Sequence, residues 1–113
     1  MARKILVSAV ITTQGVKYNQ LVQCAPDGQL SIRPADAELS ETRYINGILF
    51  CCCPQQLLDI LSTIKKEAQT GIYEISTNLL ELHHNKLLSP ITAENLHIYD
   101  LHTSSLLTDI KWS

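Results

Sequence analysis

Cys51-Cys52-Cys53 is the run whose residue types could carry chemistry, because Pro54 follows it and marks the first turn of a helix. A thiol held at a helix N-terminus is drawn toward the thiolate, the form that attacks electrophiles. Cys53 and Cys51 are therefore the candidate catalytic residues of a thiol-dependent enzyme or redox sensor. His83, His84, His97 or His102 would be available as the base. The competing reading is packing: free cysteine behaves as a small hydrophobe and is among the most buried residue types. The apolar residues that lead into the three thiols favour packing.

The same side chains could ligate a metal. Cys51 and Cys53 would share one face of a strand, and His83 and His84 could complete a tetrahedral set. No C-x-x-C pair occurs to go with spaced histidines, and His97 and His102 fall on opposite faces of a regular strand. No metal and no cofactor is expected. A disulfide is disfavoured as well, since adjacent cysteines on a strand point apart and only Cys24 is left as a partner. Unpaired thiols fit a reducing, cytoplasmic setting.

Carboxylates give less. Asp36, Glu38 and Glu41 form an acidic group that matches no calcium loop and reads as a solvated connector. Glu74 and Glu81 are too far apart along an extended segment to act as a catalytic pair. There is no glycine-rich phosphate loop, no G-x-S-x-G elbow and no H-E-x-x-H, and four glycines leave little for a phosphate cradle.

Composition narrows the partners. Nine basic residues against eleven acidic ones give a net charge of −2, and 5% aromatics leave few stacking platforms, so nucleic acid is not expected. No stretch is long enough to span a bilayer as a helix, and no membrane partner is expected. Arg3 and Lys4 before the apolar run Ile5–Ile11 briefly imitate a signal peptide, but the run ends at Thr12-Thr13-Gln14-Gly15 and reads better as a first strand.

The elements that would position these residues follow from spacing. Tyr44 to Cys53 is a nearly continuous apolar strand. It leads into the clearest helix, about 54–70, in which Pro54 occupies the first position and Leu57, Leu58, Leu61, Ile64 and Ala68 form an apolar stripe beside Ile60. Lys65, Lys66 and Gly71 suit its end. Before it, Gln14-Gly15 turns the first strand into Val16–Cys24, whose alternation breaks at Gln20-Leu21, as at a bulge or under a partly covered second face. Ala25-Pro26-Asp27-Gly28 is a turn that should pair Val22–Cys24 with Leu30–Ile32. After the helix, Ile72–Asn78 alternates as a strand continuing toward Leu82, and His83–Lys86 reads as a turn. Leu96–Leu101 and Leu106–Trp112 read as a terminal hairpin, with Trp112 anchoring its last strand.

Strands, one helix and more strands, without βαβ alternation, imply one α+β domain over residues 1–113. The expected architecture is an antiparallel sheet of about six to eight strands with one long helix on one face. The expected function is a non-catalytic protein–protein interaction or accessory module, binding a protein partner or itself as a homodimer through edge strands. The alternatives are the thiol chemistry above and a small-ligand carrier with a cavity between helix and sheet.

Overall fold

The sheet is built around the first strand. In the computed structural model β1 (Lys4–Thr12) turns tightly into β2 (Gly15–Cys24), which pairs with it antiparallel from Thr12↔Gly15 to Lys4↔Gln23. The structure describes residues 4–25, 27, 29–35, 42–67, 69–88, 91 and 95–107. β3 (Leu30–Pro34) pairs with β2 in the register expected from the turn, Val22↔Ile32 and Cys24↔Leu30. β4 (Thr42–Cys51) then returns to the other side of β1 and lies parallel to it. The remaining strands, β5 (Leu96–Asp100) and β6 (Ser105–Leu106), follow as antiparallel neighbours, giving the order β3-β2-β1-β4-β5-β6. The α+β class holds, with six strands among the described residues. The sheet is mixed, because the β3-to-β4 connection carries the chain past the hairpin and sets β4 beside β1 in the same direction.

Among the described residues two helices, not one, cover a face of this sheet. α1 runs Pro54–Lys66 with Pro54 in its first turn and Lys65 and Lys66 in its last. It stops short of Thr70. α2 runs Ile72–His83 and a 3₁₀ turn, His84–Lys86, continues it. The strand expected from Ile72 onward is thus helical. Tyr73, Ile75 and Thr77 alternate with Glu74 and Ser76 over the first few positions, but Ile75, Ser76, Leu79 and His83 recur at helical spacing, and these are the buried ones. Packing on the sheet outweighs the local β preference. In α1 the stripe is centred on Ile60 and Ile64, both fully buried, with Leu57 and Leu61 at its margins. Leu58, expected in the stripe, points outward.

The core has two parts, one on each face of the sheet. Ala9, Ile11, Ile48, Phe50, Cys52 and Tyr99 meet Ile60, Ile64, Ile75 and Leu79 from the helices. On the opposite face Ile5, Val7, Val10, Val22, Ile45, Leu49, Cys51 and Ile98 cluster, with Leu88, Ile91 and Leu107 packed against them. Ile5 and Val7 therefore face away from the helices, whereas Ala9 and Ile11 face toward them. β1 switches faces at Ser8, and β2 switches with it at Asn19, which takes the left-handed conformation at φ 54°. Asparagine tolerates that region better than most residues. β4 absorbs the switch with one extra residue between Ile45 and Ile48. The Ser8 hydroxyl donates to Asn46 Oδ1 at 3.0 Å, joining the two strands where their register slips. This irregularity stands one residue from the break expected at Gln20-Leu21.

Candidate functional site

The strand leading into the cysteines ends at Cys51, so alternation does not carry through to Cys53. Cys51 is buried in the cluster on the face away from the helices, and Cys52 is buried in the helix-side cluster. The backbone of the run is clasped: Leu88 N–H donates to the Cys51 carbonyl at 2.9 Å, and Cys52 N–H donates to the Asn95 carbonyl at 3.3 Å. Cys53 is half-buried at the N-cap of α1, in extended backbone (φ −67°, ψ 149°), and makes no side-chain capping bond. Cys24 is half-buried at the end of β2. All four are free thiols.

Burial pushes the Cys52 thiol up to about 11, with Cys53 and Cys51 adding to the rise. Thiolate is the attacking form, so Cys52 is inert at neutral pH. Iodoacetamide at pH 7.5 should therefore modify Cys53 and Cys24 while leaving Cys51 and Cys52 intact in native protein, as read by peptide mass spectrometry. Equal labelling of Cys52 would contradict this placement.

The histidines are dispersed. His84 is exposed, with Nε2 2.8 Å from the Thr13 carbonyl, and His102 lies exposed in the β5–β6 turn. His97, on β5, stacks obliquely on Phe50 with ring centroids 5.6 Å apart. Burial lowers its pKa, opposed by a hydrogen bond to the Cys52 backbone, and its Nε2 is buried without a partner. His83, expected in a turn, is the buried last residue of α2. Cys51, Cys53, His83 and His84 thus occupy four separate settings, and among the described residues no three His, Cys, Asp or Glu side chains gather as a metal would require. Glu74 and Glu81 both lie exposed on α2, about two turns and roughly 10 Å apart along the axis. Asp36, Glu38, Glu41 and Trp112 lie outside the described residues.

What the chain does assemble is a polar seam between the two helices. Asn78 donates to the Glu67 carboxylate just past the end of α1. His83 Nε2 lies 2.7 Å from Thr63 Oγ1, and Lys86 Nζ lies 3.3 Å from Asp59 Oδ2. Asp59, Thr63 and Glu67 are four apart, so they form one row along α1 and its C-cap. Outside the core, Leu58 on α1 is 78% exposed and Leu82 on α2 is 64% exposed. Tyr73 is 64% exposed, and its ring packs against Tyr18 of β2 at 4.6 Å. None of these residues stands out while 72–82 is read as a strand; helical spacing from Ile75 through Leu79 to His83 is the signal that would have placed Leu82 outside.

The sheet edge is narrower than an unprotected edge would be. Ala35 N–H donates to the Asn19 carbonyl and Ala25 N–H to the Gln29 carbonyl, which fixes the hydrogen-bonding phase of β2 and β3. By alternation Ser31 and Arg33 turn their backbone toward β2, while Leu30, Ile32 and Pro34 turn theirs outward. Pro34 has no N–H to offer there. Among the described residues of the β3 edge, the Leu30 and Ile32 N–H groups are the ones turned outward.

Comparison with protein-family models, with curated proteins and with solved structures gives no match to this chain. No helix among the described residues is long and apolar enough to cross a membrane.

Proposed function

We propose that this domain is a non-catalytic interaction module that docks another protein on the outer surface of its helix pair. The observation that carries this reading is the exposure of Leu58 and Leu82 on helices whose buried faces are already filled by Ile60, Ile64, Ile75 and Leu79. Large apolar side chains left outside a completed core gain free energy only when something else covers them. The charged pair Asp59–Lys86 on the same two helices is the kind of polar group that rims such contacts. Edge pairing, the other route to a partner or a homodimer, is supported less, because Pro34 restricts the β3 edge to two donors.

A thiol-dependent activity is the second reading. It rests on Cys53 alone, the one thiol of the three that is partly exposed and sits at the start of a helix. A photo-reactive residue in place of Leu58 or Leu82 tests the leading reading: it should cross-link to a protein in cells, and absence of any adduct from either position would count against it.

A further inference from the structure

His83 is a titratable side chain sealed between two helices with only one of its ring nitrogens engaged. Its residue is 7% exposed, Nε2 is 2.7 Å from Thr63 Oγ1, and Nδ1 is buried with no partner. Thr63 Oγ1 also lies 3.4 Å from the Asp59 carbonyl, where its own hydroxyl hydrogen can go. On that basis we assign the Nε2–H tautomer, in which Nε2–H donates to Thr63 and Nδ1 is a bare lone pair facing the interior. From this geometry we propose that His83 is a proton-operated latch, and that its protonation releases the end of α2 from α1. This inference does not depend on the interaction reading.

Protonation places both a charge and a new N–H donor at Nδ1, where the described residues offer no acceptor. The charged groups that reach the ring are Asp59 on α1 and Lys86 in the 3₁₀ turn after α2. Burial, and then Lys86, hold the His83 pKa below its ordinary 6.5, with Asp59 partly opposing them. On α2 itself Glu81 is exposed, and His84 turns away to the Thr13 carbonyl. An opened state that returns the ring to water binds its proton at the ordinary pKa. It therefore gains population as pH falls through about 6.5 and stops gaining below the folded-state pKa. The Thr63 and Lys86 ties leave with it, because both belong to the same seam.

The test is amide hydrogen exchange between pH 8 and pH 5, corrected for intrinsic rates, together with an NMR titration of the histidine ring signals. His83 is expected to titrate below its ordinary value. Protection over residues 79–86 should fall about tenfold for each pH unit between the opened and folded pKa values, while β1 and β4 keep theirs. In His83→Gln, whose side-chain amide can still donate to Thr63 but cannot titrate, that local loss should vanish. A His83 titration at or above the ordinary value overturns the proposal even if the variant does not fold. So does an equal loss of protection in His83→Gln, or a loss spread uniformly over the sheet.

Discussion

Replacing Gly47 with alanine should destabilise the fold by about 3 kcal/mol, near the upper end for overpacking a well-filled site. A Cβ at this position would stand 2.2 Å from the Tyr99 carbonyl oxygen and 3.1 Å from its carbonyl carbon. Both are backbone atoms of β5, so no side-chain rotation relieves the clash. Relief requires β4 and β5 to move apart where Gly47↔Asp100 and Ile48↔Tyr99 pair, loosening the fully buried Ile48 and Ile98. Gly47 also falls in the stretch where β4 carries its extra residue relative to β1. Gly15→Ala is the useful comparison. That position has φ +134° but nothing within 4 Å of an added Cβ, so its cost is backbone strain alone, of order 1–3 kcal/mol. Urea unfolding followed by circular dichroism measures both. A Gly47→Ala midpoint equal to wild type would show that β4 and β5 are not held this closely.

The second large effect separates a helix from a strand over residues 72–83. Ile75→Ala should cost about 2–4 kcal/mol, because Ile75 is fully buried among Ile60, Ile64 and the sheet residues of the helix-side core. Tyr73→Ala should cost no more than about 1.5 kcal/mol, the scale of an aromatic pair, since Tyr73 is largely exposed and loses mainly its contact with Tyr18. On a strand, residues 73 and 75 would share a face and both truncations would weigh alike. On a helix they lie on nearly opposite sides. Comparable losses for the two variants would contradict the helix.

The legible parts of this chain were those marked by local chemistry. The turn around Asp27 and the Val22–Cys24 pairing with Leu30–Ile32 follow from turn residues, and the start of α1 follows from Pro54. The direction of β4 relative to β1 is a long-range property with no local marker, which is why a mixed sheet reads as an antiparallel one. α2 was hidden by composition: Ile72, Tyr73, Ile75 and Thr77 are strand-favouring residues, and only packing against the sheet settles their state. The misplacement of Leu58 has a similar cause, since two adjacent leucines fit either edge of a helical stripe until Ile60 and Ile64 define its centre. For the site, the sequence drew attention to three cysteines, two of which are core residues. The seam of Asp59, Thr63 and Glu67 against Lys86, His83 and Asn78 could not be seen, because it exists only once two helices face each other.

The outer face of the helix pair, not the β3 edge, is the surface we propose to meet a partner. Site-specific photo-cross-linking addresses it directly, with the photo-reactive residue placed in turn at Leu58, Leu82 and Ser31 in the cells that express the protein. Adducts to one protein species from 58 and 82, and none from the edge position 31, are the predicted result. Adducts from 31 alone would transfer the contact to the sheet edge, and none from any position would contradict the interaction reading itself.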